Sequence, residues 1–338
     1  MRKHLVFEIM TLRKNFLCTL MNQFAEVADG LKTELKTFKS YLVKQAASFE
    51  REVRTAAKEA ISPKGKYIRP MLVFSSALDS ADKKSLTRRA TISELVHLST
   101  LIHDDVIDNA QMRRNNETAF KKYGSKTAIL LGDSIFAHMM TLAFEENSMD
   151  VLKKTAECVK TICEGEIKQT LADKTKIVSR KEYYDVAYGK TAALFELACN
   201  LGATATKAPK DWVKSAEECG KQLGIAYQIY DDICDWFMSE ADAGKTLGTD
   251  LISGKQTYPL IVLLEKLPSK KSVSLAKNLS AQKPEDIANM MRENDVMADC
   301  KKEFLRRINI AEKAISKFPK ENQKLMKFCD IMRRLNFY

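Results

Sequence analysis

The segment that decides the fold is LTRRATISELVHLSTLIHDDVID, residues 86–108. It contains neither Gly nor Pro, its apolar residues recur at helical spacing, and three aspartates close it. The whole chain is similarly poor in turn-forming residues, because 12 Gly and 7 Pro make up about 6% of 338 residues, against a usual share of ~12%. A β-sandwich, barrel or propeller needs frequent Gly- and Pro-rich turns. We therefore predict an all-α protein.

Long helical patterns cover most of the chain and are separated by short breaks. We find no internal repeat and no linker composition, so we predict one domain over residues 1–338, a single large helical bundle. Residues 1–30 are predicted to be an extension or helix of unknown role. The predicted helices are 31–60, 67–79, 86–108, 125–146, 149–172, 180–202, 210–236, 257–266, 283–295, 300–317 and 320–335.

The chain is basic, with a formal net charge of +11, and residues 301–338 carry +7 of it. This basic segment is either a solvated helical face or a surface attracted to an anionic membrane or a phosphorylated substrate. We expect no nucleic-acid partner, because aromatic residues are not interleaved with the basic ones. The 8 cysteines form no CxxC pair and are predicted to be reduced core residues of a cytosolic-type protein.

The N-terminal residues are mildly basic and apolar, with interspersed charges and no clean signal-peptide pattern. No run of 18 apolar residues occurs, so we expect no membrane-spanning segment. A cytoplasmic protein is the resulting expectation, and membrane association and organellar targeting stay open.

Two matching pentapeptides, each at the end of an apolar helix, are the sharpest feature of the sequence. Residues 104–108 read DDVID and residues 231–235 read DDICD, so both have the pattern D-D-x-x-D. Side chains three and four residues apart share a helix face, so each cluster projects three carboxylates from about one turn. Hard oxygen ligands suit Mg²⁺, which shares its shell readily with phosphate. The pair of clusters therefore predicts several Mg²⁺ ions bridged by a diphosphate.

Cationic residues near the same helix ends are candidate phosphate donors. His97 adds to them because it lies two turns before Asp104 on a stripe with Leu101 and Asp108, where a core histidine and a phosphate donor are both open interpretations. The cationic candidates are Lys66, Arg69, Arg113, Arg114, Lys190, Lys245 and Lys255.

These residues occur in motifs that resemble the trans-isoprenyl diphosphate synthases, specifically the polyprenyl diphosphate synthase branch. The likeness runs in order from Gly65 to Pro259 and implies an all-α isoprenoid synthase-like bundle around a deep central cavity. The motifs are GKYIRP (65–70), ELVHLSTLIHDDVIDNAQMRR (94–114), LGDSIFA (131–137), EGEIKQ (164–169), YGKTAALF (188–195), GIAYQIYDDICD (224–235) and GKTLGTDLISGKQTYPL (244–260).

The resemblance implies a prenyl transfer from an allylic diphosphate to isopentenyl diphosphate, with loss of diphosphate and then of a proton. It also implies a homodimer and about three Mg²⁺ ions per active site. The allylic diphosphate would bind through Mg²⁺ to Asp104, Asp108 and Asp231, with its phosphates held by Arg113, Lys190 and Lys255. Lys245 is a further candidate cation, and Asp105, Asp232 and Asp235 would be nearby ligands or supporting carboxylates.

Two further sets of residues take roles from the resemblance. Thr191 and Gln228 would place polar oxygens beside the allylic cation, and isopentenyl diphosphate would bind at Lys66, Arg69, His97 and Arg114. Ser99 and Thr100 are small where short-chain members of the family have a bulky aromatic, so the product is predicted to be longer than C20. Phe136 is a candidate for a lower floor of the product tunnel.

Three other functions stay open on the sequence. A metal-dependent phosphohydrolase of the HD type would use His97, His103, Asp104 and Asp231 but leaves the other aspartates and the cations without roles. A class I terpene cyclase shares the first cluster but has a different second motif. A non-catalytic partner subunit of a heteromeric synthase is expected to have degraded clusters, and both clusters here are complete.

Overall fold

The structure is a computed structural model that describes residues 24–61, 65–113, 116–173, 176–237, 254–321, 323–335 and 337. Two predicted site residues, Arg114 and Lys245, and most of the predicted extension, residues 1–23, lie outside the described residues.

Helices make up nearly all of the described chain. They are α1 Ala25–Gly30, α2 Lys32–Gln45, α3 Arg51–Ala60, α4 Ile68–Ser76, α5 Lys83–Ile107, α6 Ala119–Phe144, α7 Met149–Leu171, α8 Arg180–Ala187, α9 Ala193–Ala203, α10 Lys210–Phe237, α11 Tyr258–Lys266, α12 Ser269–Lys277, α13 Pro284–Glu293, α14 Val296–Ile315 and α15 Gln323–Arg333. Short 3₁₀ turns occupy Ala46–Ser48 and Leu279–Ala281, a π-helix spans Tyr188–Ala192, and strands β1 Met112–Arg113 and β2 Asn116–Glu117 form an antiparallel hairpin. The all-α prediction is confirmed.

Side-chain caps fix where several of the long helices begin. Asp82 accepts a hydrogen bond from the Ser85 backbone N–H at 2.7 Å and so starts α5. Thr118 does the same for α6, and Ser179 forms a reciprocal capping box with Glu182 at the start of α8. Such caps satisfy backbone donors that the first turn leaves without partners.

The helices differ from the predicted ones in three places. The pattern over 31–60 is broken after α2, because Phe49 is extended and the Arg54 side chain donates to its carbonyl at 3.1 and 3.2 Å. The pattern over 180–202 is interrupted by the π-helix, and α12, which follows Pro268, was not predicted.

The core of the bundle is built by α4, α5, α9 and α10, with α6 and α14 packed outside them. Helices α5 and α6 run antiparallel, since Ser85 at the start of α5 bonds Glu146 just after α6, whereas Ser99, further along α5, bonds Gly132 in the middle of α6. Helix α9 is buried over nearly its whole length and contacts α4, α5, α7 and α10. Helix α9 thus packs against both helices that end in an aspartate cluster, α5 and α10.

Helix α6 is the one helix in the described ranges that is long and apolar enough to cross a membrane by length and composition. The sequence-based prediction of no such segment rested on the absence of 18 consecutive apolar residues. Helix α6 escaped it because polar residues interrupt its apolar sequence. A helix in the core of a globular protein can pass the same test, but only 39% of the most apolar window of α6 is buried. Helix α6 therefore presents an apolar surface that this chain alone leaves uncovered.

Candidate active site

The first aspartate cluster closes α5, and its three carboxylates have different surroundings. Asp105 is 5% exposed and accepts a hydrogen bond from Arg113 Nε at 2.7 Å. The Asp105 backbone carbonyl also accepts from the Ala110 N–H, so Asp105 holds the turn that leads into the β1–β2 hairpin. Asp104 is half-buried and Asp108, the C-cap of the helix, is exposed. The resemblance implied metal binding for Asp104 and Asp108, and these two are the more open to a ligand.

The surroundings of Asp104 disfavour the ionised form of its carboxyl group. Burial raises its pKa to about 6, and the charges of Glu166 and Asp108 act in the same direction, while Lys190 and Arg113 oppose them. A carboxylate that is costly to ionise in the protein alone gains from a cation placed beside it. The site thus favours a positively charged ligand at Asp104.

Lys190 faces Asp104 from the π-helix. Its Nζ lies 3.8 Å from Glu166 Oε2 and 3.4 Å from Gln169 Oε1, both on α7. The π-helix allows this approach because an extra residue in the turn re-aims the side chains that follow, as is common at functional sites. Lys190 is therefore held between the acidic end of α5 and α7.

Lys255 reaches the first cluster from the segment that follows the second one in sequence. Its Nζ donates to Asp108 Oδ1 at 3.2 Å across 147 residues. This ion pair joins a group predicted to bind metal to a group predicted to bind phosphate.

The second cluster, at the end of α10, divides in the same way. Asp231 is exposed, whereas Asp232 and Asp235 are buried. Asp232 accepts three hydrogen bonds, from Tyr183 Oη at 2.7 Å, Gln228 Nε2 at 2.8 Å and the Tyr258 N–H at 2.9 Å.

Thr191 and Gln228 are in contact, as expected for two residues with a shared role. The Thr191 hydroxyl donates to Gln228 Oε1, and Gln228 Nε2 in turn donates to Asp232 Oδ1, so the three residues form a chain of hydrogen bonds. Because Thr191 follows Lys190, this chain links the cationic group at the first cluster to the second cluster. It also fixes the orientation of both side chains.

The residues predicted to bind isopentenyl diphosphate lie at the start of α4 and on α5. Lys66 and His97 are half-buried, and the Arg69 guanidinium lies 5.3 Å from the ring centroid of Phe195 on α9. Tyr67, between the two cations, has a left-handed backbone (φ 54°), which turns the chain sharply into α4. Helix α4 packs on both α5 and α9. That Lys66, Arg69 and His97 form one subsite stays a prediction.

The predicted chain-length residues lie where α5 meets α6. Ser99 is 4% exposed and its hydroxyl donates to the Gly132 carbonyl at 3.1 Å. Thr100 is half-buried and donates to the His97 carbonyl at 2.9 Å. Phe136, on α6, is partly buried against the core. Their role in setting the length of the product stays a prediction.

The oxygen donors of the site fit Mg²⁺ when a phosphate completes the shell. Within the described parts of the chain, no three His, Cys, Asp or Glu side chains converge as a chelating group. Mg²⁺ usually takes one or two carboxylates together with waters and substrate phosphates, so such a group is not required. The burial of Asp104 near the carboxylates of Glu166 and Asp108, which raises its pKa, favours a cation there.

Four residues of this region had no role in the sequence-based prediction. Glu166 and Gln169 lie in the EGEIKQ motif, which carried the family resemblance but received no function. Tyr183 and Tyr258 bind Asp232 from other elements, and nothing in a single sequence connects them to it.

Comparisons with known proteins agree with the fold and the motifs. The family model described as polyprenyl synthetase matches residues 50–295. Solanesyl diphosphate synthase 1, chloroplastic, from Arabidopsis thaliana is 33% identical over 242 residues, covering 70% of this chain and 60% of that protein. Octaprenyl diphosphate synthase from Escherichia coli K12 is 33% identical over 202 residues, covering 60% of this chain and 62% of that protein. The alignments thus span about three fifths of these two relatives.

The solved structures match over greater lengths. A decaprenyl diphosphate synthase from Rhodobacter capsulatus superposes with a TM-score of 0.83 at 27% identity, over 92% of this chain and 99% of that one. A heptaprenyl diphosphate synthase from Staphylococcus aureus gives 0.83 at 26% identity, over 90% and 98%. The fold and the paired aspartate clusters therefore define a helical bundle of the isoprenoid synthase type. The chain belongs to the polyprenyl synthetase family.

Proposed function

We propose that the protein is a prenyltransferase that condenses an allylic prenyl diphosphate with isopentenyl diphosphate and releases diphosphate. Its product is an all-trans polyprenyl diphosphate longer than C20. The observation that carries the proposal is the placement of two cations at the first aspartate cluster, with Lys190 beside Asp104 and Lys255 on Asp108. A phosphohydrolase of the HD type leaves these cations without a role.

The allylic diphosphate binds between the ends of α5 and α10. Asp104, Asp108 and Asp231 would hold Mg²⁺, and a metal bound there would supply positive charge to offset that of the departing diphosphate. Arg113, Lys190 and Lys255 bind its phosphate oxygens, in accord with their positions around the first cluster. We assign isopentenyl diphosphate to Lys66, Arg69 and His97, on the α4 side of α5.

The chain's own residues act by position and charge. The bond between C1 of the allylic group and the diphosphate oxygen breaks, and its electron pair leaves with the diphosphate. The double bond of isopentenyl diphosphate then forms the new carbon–carbon bond to C1, and the cationic adduct gives up a proton to the released diphosphate. The Thr191–Gln228 pair, whose orientation is fixed by Asp232, offers oxygen dipoles to the developing positive charge.

The small size of Ser99 and Thr100 supports a long product. Both lie one turn or so before Asp104 on α5, so a chain growing away from the diphosphate passes them. Two relatives of the chain, an octaprenyl and a solanesyl diphosphate synthase, are long-chain synthases by name. We extend that property to this chain as part of the proposal.

We further propose a homodimer, formed through the apolar face of α6 and α7. Its members are large apolar side chains at least half exposed in the single chain: Leu130, Phe144, Met149, Ile167 and Leu171. Monomeric proteins rarely leave such surfaces uncovered. The basic segment after residue 301 would keep this cytoplasmic enzyme near an anionic membrane surface, where a long prenyl product must go.

The test is elongation by the purified chain with Mg²⁺, farnesyl diphosphate and labelled isopentenyl diphosphate. A labelled, extractable prenyl diphosphate supports the proposal, and resolving it by length measures the product. Release of phosphate without elongation would indicate a hydrolase. Activity that appears only when another chain is added would indicate a non-catalytic partner subunit.

A further inference from the structure

We propose that Asp232, the middle carboxylate of the second cluster, is a positioning residue and not a metal ligand. The Tyr183 hydroxyl orients its carboxylate, which binds the Tyr258 N–H and so holds the nearby Lys255 in place. The inference deepens the proposed function, on which it rests, because it concerns how that site keeps its phosphate-binding lysine in position.

Both carboxylate oxygens of Asp232 are already engaged by donors of the protein. Oδ2 accepts from the Tyr183 hydroxyl and the Tyr258 N–H, and Oδ1 accepts from Gln228 Nε2. Asp232 is 6% exposed, and Tyr183 and Tyr258 are buried as well. Burial and the neighbouring carboxylate raise the pKa of Tyr183, so its hydroxyl stays protonated and donates. A buried carboxylate with three donors has little capacity left for a metal.

The segment that follows Lys255 is fixed residue by residue. Gln256 accepts from the Val178 N–H at 3.0 Å and donates to the Lys176 carbonyl at 2.6 Å. Thr257 accepts from Trp236 Nε1 at 2.7 Å, one turn after Asp232 on α10. Tyr258 then gives its N–H to Asp232. Residues 256–258 are thus docked on the segment before α8 and on the end of α10, and we call them the Lys255 support.

The Lys255 support determines where the lysine can reach. Lys255 is three residues before Tyr258, so its Cα lies within about 11 Å of the Tyr258 Cα even when the backbone is extended. Its ammonium group meets Asp108 of the first cluster. Fixing Tyr258 on Asp232 therefore limits the freedom of Lys255 at the phosphate-binding end. The second cluster then contributes to phosphate binding through Asp232, separately from the exposed Asp231.

The main test is Tyr183→Phe, which removes one hydroxyl and keeps the ring that packs on Tyr184 and Tyr258. Loss of this charge-assisted hydrogen bond should raise the KM for the allylic diphosphate roughly tenfold and leave the KM for isopentenyl diphosphate unchanged. In metal-free protein, amide hydrogen exchange should rise in a peptide covering residues 254–260. In a Lys255→Ala background, Tyr183→Phe should add no further increase in KM, because the lysine it positions is gone.

The matched control is Tyr123→Phe, which removes a tyrosine hydroxyl that donates to a different carboxylate. The Tyr123 hydroxyl donates to Glu59 at 3.0 Å, on other helices, so neither KM nor exchange over 254–260 should change. The Mg²⁺ concentration for half-maximal activity separates the two aspartates. It should rise severalfold in Asp231→Asn and stay at the wild-type value in Asp232→Asn.

Three results would overturn the inference: unchanged exchange over 254–260 in Tyr183→Phe, an additive effect in the Lys255→Ala background, or a raised Mg²⁺ requirement in Asp232→Asn. A wild-type protein without elongation activity would instead overturn the proposed function. The exchange measurement, which needs no substrate, still decides the inference in that case.

Discussion

The backbones of Gly165 and Gly189 are in direct contact where α7 crosses the π-helix. A Cβ built on Gly189 would lie 2.9 Å from the Gly165 Cα, closer than real Cβ atoms come. Each glycine is followed by a charged residue of the site, and these residues, Glu166 and Lys190, lie 3.8 Å apart. The close crossing is what allows α7 and the π-helix to present their charges to Asp104 from one side.

Gly189→Ala is expected to lower both stability and activity. The added methyl group has backbone on two sides, so the helices must separate, at a cost of about 1–3 kcal/mol. Lys190 should then move away from the first cluster. Denaturant unfolding and steady-state kinetics measure the two effects. Gly30→Ala is the matched control, because nothing lies within 4 Å of its added Cβ, and its unfolding free energy should not fall.

Asp104→Asn is expected to abolish elongation and yet to stabilise the metal-free protein near pH 8. The folded protein raises the pKa of Asp104 from 3.8 to about 6, which corresponds to about 3 kcal/mol. The stabilising contribution of the neutral carboxyl is present below pH 4 and is lost as the pH rises through 6. In EDTA, the melting temperature of Asp104→Asn should therefore exceed that of wild type by its maximum amount above pH 6. This difference should vanish near pH 4.

The control for this pH dependence is Asp29→Asn, at an exposed residue of α1. It should leave the melting temperature nearly unchanged at every pH, as is usual for surface substitutions. A stabilisation of Asp104→Asn that does not depend on pH, or a loss of stability at pH 8, would contradict the raised pKa.

Periodicity predicted most of the helices, and spacing identified the two aspartate clusters. The choice of Asp104, Asp108 and Asp231 as metal ligands came from the family resemblance and stays a prediction. The π-helix was beyond such reasoning, because the period of the apolar residues continues through Tyr188–Ala192 and only the approach of Gly165 requires the distortion. The sequence pattern also could not show which aspartates are exposed and which are buried and hydrogen-bonded by the protein. Asp231 and Asp232 are neighbours in sequence, and what distinguishes them is a tyrosine 49 residues away.

Thr100→Phe is expected to shorten the product. Thr100 is half-buried one turn before Asp104, so a phenyl ring there narrows the path of a chain that grows along α5. Chromatography of the products resolves their lengths. Thr37→Phe, the same change at an exposed position of α2, is the control and should leave the length distribution as in wild type.

Ser99→Phe is expected to shorten the product as well, and in addition to lower stability. Ser99 packs against the Gly132 backbone, so the larger ring must separate α5 from α6 at a cost of about 1–3 kcal/mol. The comparison of the two variants in melting temperature checks this difference. Unchanged product lengths in both would show that the floor of the tunnel lies elsewhere.

Leu130→Arg is expected to convert the proposed homodimer into a monomer. Leu130 is 64% and Phe144 69% exposed on the same side of α6, and Leu171 of the adjacent α7 is 79% exposed. A guanidinium placed at the centre of a dry interface loses its hydration without a partner. Sedimentation should show half the wild-type mass. Val273→Arg, at an exposed apolar residue of α12, should leave the mass unchanged. The proposal would be contradicted if the wild-type protein were a monomer that sediments with lipid vesicles and Leu130→Arg abolished that binding. The apolar face of α6 would then be a membrane-binding surface.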